Sequence, residues 1–212
     1  MAGVALSFEG SNDNYNIKAK DDDAGETIIS GVFPTYAVQA SWALSSRFGL
    51  RLKYKNQKAI FQSDEDSEIV GNDQNLHGIF VELPIQYSPH LQPFLRYRLQ
   101  DRLLVKMDNI TNDLELSKAP SNDFGIGFNW DTLPKPGLKF GYGAHVMAIT
   151  IDDKSISPQA FEVGGSVKIG YQTRMDFGIF IKGQYSYSQF EARENEYQVQ
   201  ELSTSLGLIF FF

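Results

Sequence analysis

Leu138-Lys-Phe-Gly-Tyr-Gly-Ala-His-Val-Met-Ala148 places Leu138, Phe140, Tyr142, Ala144, Val146 and Ala148 on one parity, and Lys139, Gly141, Gly143, His145 and Met147 on the other. Successive residues of a strand point to opposite faces, so this stretch predicts a ribbon with one uncharged side and one side carrying polar and small residues. Its length suits the roughly 9 to 11 tilted residues that a strand needs to cross a bilayer.

The same period of two recurs nine more times, near residues 4–9, 36–44, 47–55, 79–87, 95–100, 124–130, 161–171, 176–187 and 201–212. Every charge within the ten segments falls on the parity opposite the apolar one. A helical membrane protein needs about 20 consecutive apolar residues per crossing, and the longest apolar cluster here is Leu208-Ile-Phe-Phe-Phe212. Lipid offers no hydrogen bonds to a sheet edge, so a membrane sheet must close. The expectation is an all-β fold: a closed, antiparallel, up-and-down transmembrane β-barrel of ten strands, forming one domain over residues 1–212.

The connections support this. Short ones are expected near 45–46, 88–90, 131–137 and 172–174, and long polar loops near 20–30, 58–75, 108–121, 152–159 and 191–196. An even strand count then brings both termini to the short-turn end. Trp42, Tyr87, Trp130, Tyr171 and Phe212 mark that end, and Tyr36, Tyr54, Tyr97, Tyr185 and Tyr187 the other. Tyr and Trp favour membrane interfaces because an apolar ring carries a polar tip. Met1-Ala-Gly-Val lacks the basic start and apolar stretch of a signal peptide, and Met1 reads as an initiator placed before a mature, processed chain.

The last strand, Leu202-Ser-Thr-Ser-Leu-Gly-Leu-Ile-Phe-Phe-Phe212, ends in Phe with apolar residues stepping back by twos. It resembles the final strand of bacterial outer-membrane β-barrel proteins, with Thr204 less apolar than that pattern prefers. The resemblance implies the outer membrane with both termini periplasmic. It also implies recognition of Phe212, Phe210 and Leu208 by the barrel-assembly machinery, and contact with the lipid bilayer and lipopolysaccharide. A monomer is expected.

The five long-loop stretches hold seventeen acids against five bases, although the whole chain carries a net charge of −7. That leaves a basic interior. Parity assigns Arg47, Arg51, Lys53, Lys55, Arg96, Arg98, Lys139, Lys168 and Lys182 to the lumen, with Glu9, Glu82, Glu162, Asp176 and Glu201 as acidic partners. A charged, low-dielectric channel concentrates ions of opposite sign, which points to a narrow pore for small anionic solutes. The alternative is that these side chains pair and plug a closed structural or surface-interaction barrel, adhesin-like in role. Inward glycines at 125, 127, 141, 143, 164, 170, 178 and 207 either widen the cavity or serve bends and closure. The net negative charge disfavours nucleic acid as a partner.

The chain has no cysteine and three histidines, and no cofactor or metal is expected. Asp21-Asp22-Asp23 reads as a solvated, self-repelling loop rather than a calcium loop. Some barrels of the family resembled are proteases or lipid A hydrolases, which need a histidine with a nucleophile or carboxylates at the outer rim. His90 lies in a short turn and His77 at a loop edge with lipid-facing parity. His145 faces the lumen, with Glu162 and Ser166 on the neighbouring strand, so a Ser-His-Glu set can be drawn. Packing is the plainer role for His145, and no enzyme is expected.

Overall fold

The structure is a computed structural model. It describes residues 3–21, 25–61, 69–70, 74–107, 114–132, 136–151, 160–173, 176–192 and 195–212. The strands are β1 (Val4–Asp21), β2 (Gly25–Ala43), β3 (Gly49–Ala59), β4 (Ile69–Val70), β5 (Gln74–Pro84), β6 (Leu91–Met107), β7 (Leu114–Asp131), β8 (Gly137–Ile151), β9 (Phe161–Gln172), β10 (Phe177–Ala192) and β11 (Asn195–Phe211). Ten of them pair antiparallel in chain order. The ring closes where β1 meets β11, so no edge is left. The two-residue β4 stands outside the ring, in a parallel pairing with the start of β7. The chain ends meet at the seam, where Phe212 N–H donates to the Val4 carbonyl at 2.8 Å.

The apolar parity faces outward all round the ring. Tyr36, Leu52, Leu95, Phe124, Tyr142, Val167, Ile181 and Leu206 are all exposed, from eight different strands. On β8 the outward row runs from Leu138 to Ala148. At about 3.3 Å per residue and a tilt near 40°, that row covers about 25 Å, the height of the apolar band of a membrane barrel. Rings with bonded polar tips border the band. Tyr54 Oη lies 2.9 Å from His77 Nδ1, and Tyr97 donates to Asn122 at 2.8 Å. At the other border, His90, Trp130 and Tyr142 stack in a row.

The polar stretches predicted as long loops correct differently. Most of residues 20–30, 114–121 and 191–196 is strand, because β1–β2, β6–β7 and β10–β11 run well past the apolar band as hairpins. Residues 152–159, the centres of the other predicted loops, and Asp22 and Asp23 of the acidic run lie outside the described residues. The short connections at 45–46 and 88–90 fall where expected, and strand ends bracket the other two, of which 133–135 and 174–175 lie outside the described residues.

Past the band the faces exchange character while the register does not slip. The β1–β2 pairing is continuous from Val4↔Trp42 to Asp21↔Gly25, and β1–β11 from Ala5↔Phe211 to Lys20↔Glu196. On β1, odd positions point inward throughout: Ser7, Glu9 and Asp13 in the band, then Tyr15, Ile17 and Ala19 beyond it. The outward positions change from Leu6 and Phe8 to Asn12, Asn14, Asn16 and Lys18. A one-residue slip would exchange the faces by moving the backbone; here the backbone is regular and the residue types change. The cause is the solvent. Lipid wets the wall of the band, whereas water surrounds the hairpins, leaving the interior as their only dry place.

Candidate functional site

The interior is built in three layers. At the short-turn end lies an open vestibule of about 430 Å³, lined by Lys139, Lys168, Lys182, Arg96, Arg51 and Asp131 among others. Lys168 bonds Asp131 at the rim, at 2.8 Å.

The middle layer is ionic. Glu82 is shared by Arg51 and Arg96, and Lys53 reaches Glu9 at 2.8 Å. Lys55 of β3 crosses to Glu201 of β11 at 2.9 Å and to Asp13 of β1 at 3.1 Å. Asp13 is fully buried and also accepts from Ser11, Thr35 and Gln57. Across the lumen, Arg98 grips Glu162 with two parallel bonds, Nη1 to Oε1 at 2.9 Å and Nη2 to Oε2 at 2.7 Å. Its Nε donates to Asp123 Oδ2 at 2.7 Å, the oxygen that Arg102 also reaches, at 2.9 Å. Bidentate guanidinium–carboxylate pairs are the strong form of charge-assisted hydrogen bond. Here they bind β6 to β7 and β9.

The third layer is dry. Ile17, Ile29, Phe33, Leu76, Leu104, Ile149, Phe190 and Tyr197, from seven strands, join one buried cluster. Tyr197 of β11 donates to the Val105 carbonyl of β6 at 3.0 Å. These two strands stand five places apart in either direction round the ring, so this bond spans the diameter. Arg102, Leu103, Leu104 and Val105 are all buried. Consecutive buried residues mean that both faces of the β6 extension are covered, which places the β6–β7 hairpin over the mouth. Arg102 joins the ionic and dry layers, with its guanidinium 5.1 Å from the centre of the Phe190 ring.

Arg51, Lys53, Lys55, Arg96 and Arg98 line the inner cavity with Glu9, Glu82, Glu162 and Glu201, and Lys139, Lys168 and Lys182 line the vestibule. Two assignments change. Arg47 is exposed in the turn before β3, and Asp176 is exposed in the turn before β10. The alternation had been carried past the strand ends, where parity no longer fixes a direction. Asp13, Arg102 and Asp123 were missed because the apolar signal stops short of them, although extending each strand's parity reaches all three. The glycines do not widen the lumen. A Cβ at Gly207 would lie 2.3 Å from the Phe180 ring, one at Gly127 2.4 Å from Phe94, and one at Gly164 2.4 Å from His145. These three are recesses for large inward side chains.

His145 Nε2 lies 3.1 Å from Glu162 Oε1, the carboxylate that Arg98 already holds. Among the described residues no hydrogen bond links Ser166 to His145, and no group of acids and histidines has metal-binding geometry. His90 Nδ1 lies 3.0 Å from the Asp131 carbonyl oxygen in the short-turn rim.

Residues 2–210 match the family described as the outer membrane protein beta-barrel domain. The chain belongs to that family. It is a barrel of the bacterial outer membrane, in contact with the lipid bilayer. Among solved structures, the outer membrane protease OmpT from Escherichia coli is 9% identical, with 100% of this chain and 96% of that one covered at a TM-score of 0.59. An outer membrane channel from Pseudomonas putida F1 is 8% identical, with 100% and 95% covered at 0.50. At such identities the likeness is one of fold. No curated protein matches the chain significantly.

Proposed function

We propose that this outer membrane barrel is sealed, and that it serves as a rigid anchor presenting its long hairpins as a surface-interaction module. The observation that carries the reading is the Tyr197–Val105 bond across the lumen, set within a cluster where Phe33, Leu104 and Tyr197 are at most 1% exposed. A conducting path needs continuous water, and Phe33, Leu104 and Tyr197 offer almost no surface for it to wet. Below them the charges are matched: Arg98 and Arg102 against Asp123 and Glu162, Lys55 between Asp13 and Glu201. The apolar C-terminal residues Leu208, Phe210 and Phe212 suit capture by the barrel-assembly machinery. In this reading the short-turn end, with both termini, is periplasmic. The hairpins stand among lipopolysaccharide, and the barrel acts as a monomer.

Planar-bilayer recording of the purified full chain tests the seal. The expected result is no steady current from the wild type, and steady current once Leu104, Phe190 and Tyr197 are all replaced by Ala. A steady, anion-selective current from the wild type would overturn the seal and restore the reading as a narrow pore for anionic solutes.

A further inference from the structure

The wet end of the lumen holds an arrangement that electrostatics opposes. Lys168 of β9 and Lys182 of β10 are direct register partners, and both face the vestibule. Directly opposed residues of an antiparallel pair have Cβ atoms about 4.5–5.5 Å apart, and like charges there weaken the sheet. Asp131 answers Lys168. Lys182 forms no ion pair with a described carboxylate. Its ammonium donates to Gln184 Oε1 at 3.0 Å, and Glu9, two strands away on β1, attracts it but pairs directly with Lys53. Arg51 and Arg96, on β3 and β6 of the facing wall, add two more cations to the cavity and share one acid, Glu82. Lys139 sits on the other side of Lys168, on β8.

A sheet does not gain stability from such a pair, and an anion bound between the two would relieve the repulsion. The space is of ligand size. About 430 Å³ falls within the range of small-molecule sites. The opening is at the short-turn end, where Asp131, Thr132 and Gln172 form part of the lining. A cavity with low-dielectric walls and one dominant sign of charge raises the local concentration of the opposite ion. Lysines bind phosphate and carboxylate oxygens as point charges, without demanding the planar geometry that arginine imposes.

We propose that the vestibule is a blind binding site for a small polyanion bearing phosphate or carboxylate groups, held between Lys168 and Lys182 and entered from the short-turn end. The site does not depend on the seal at the far mouth, because binding from the open end needs no passage.

Calorimetric titration of the full chain in non-ionic detergent, at ionic strength held constant with chloride, tests this with pyrophosphate and citrate as probes. The expected result is saturable one-to-one binding of at least one probe, weakened tenfold or more in Lys182→Gln. Tighter binding of pyrophosphate assigns a phosphate ester, and tighter binding of citrate a carboxylic acid. Without ligand, Lys182→Gln should melt at the same temperature as the wild type or higher, since the repulsion is relieved. Failure of both probes to bind folded wild type would overturn the proposal, as would unchanged affinity in the Lys168→Gln/Lys182→Gln double variant. A ligand-free Lys182→Gln that melts lower would give Lys182 a structural role and also overturn it.

Discussion

The band and the crown of hairpins above it are made from the same strands in the same register, yet they follow opposite rules. In the band, Val167 is outward and 60% exposed while Glu162, on the same strand, is inward and paired. In the crown, Asn16 and Lys18 are outward while Ile17 between them is 1% exposed. The backbone does not distinguish the two. What differs is the medium outside the wall, and the side chains report it. The band excludes charge from its outer face because lipid cannot solvate charge; the crown buries apolar groups because water surrounds it. Ions are tolerated in the middle layer because each finds a partner there, and Arg102 marks the level at which partners give way to packing.

Three substitutions, in two tests, show how firmly each rule holds. The largest effect is expected for Arg98→Ala, which removes the bidentate partner of Glu162 and leaves Arg102 alone to serve both Glu162 and Asp123. Removing one partner of a buried pair costs about 3–5 kcal/mol, read as a loss of unfolding free energy in denaturant titration of the barrel in micelles. A loss below about 1 kcal/mol would mean that the middle layer is wet enough to screen its charges, and the contrast with the crown would narrow. A second test places the same new charge on both outer faces. Val167→Lys puts an ammonium into the middle of the band, at about 2–4 kcal/mol. Asn16→Lys puts one on the water-facing crown, where surface changes stay within about 0.5 kcal/mol. Equal costs for the two would break the comparison, because the outer medium would then be the same along the whole wall.

The band was legible in the sequence because its signal is redundant: ten segments repeat one polarity, and each turn resets the count. The crown was not, for a physical reason. Its outward residues, such as Lys18, Lys20, Glu26 and Ser30, are those of any hydrated loop, and its apolar residues sit on the parity that the band reserves for charge. A search for apolar-outward alternation therefore stops at Phe8 on β1 and reads the rest as connection. Tyr15, Ile17 and Ala19 do alternate with Asn14, Asn16 and Lys18, and a search for period two with either sign finds them. The interior was legible in composition but not in pairing. Parity puts Arg98 and Glu162 inside, yet which strands face each other across a lumen depends on the tilt and stagger of the closed ring, which no single strand encodes. Arg47 and Asp176 show the opposite limit, where a turn interrupts the parity that seemed to assign them.

A smaller effect than that of Arg98→Ala or Val167→Lys separates the halves most sharply. Tyr197→Phe keeps the ring stacked on Phe190 at 5.2 Å and removes only the hydroxyl that reaches the Val105 carbonyl. One neutral hydrogen bond contributes about 1 kcal/mol net, somewhat more if the buried carbonyl finds no substitute. That loss should fall on the crown alone. Among the described residues, β7 is the only strand paired with β6 along residues 101–107, since the pairing of β6 with β5 ends at Gly78↔Gln100, so the cross-lumen bond joins the contacts of Arg102 with Glu162 and Phe190 in tying this extension to the other strands. Hydrogen exchange should quicken at residues 101–107 and 114–120, while the band segments of β8 and β9 keep their wild-type protection. Local opening of this kind is the behaviour of a unit less stable than the whole. Exchange that quickens equally in band and crown would mean that the barrel opens as a single body, and the two rules would then describe one cooperative structure rather than two.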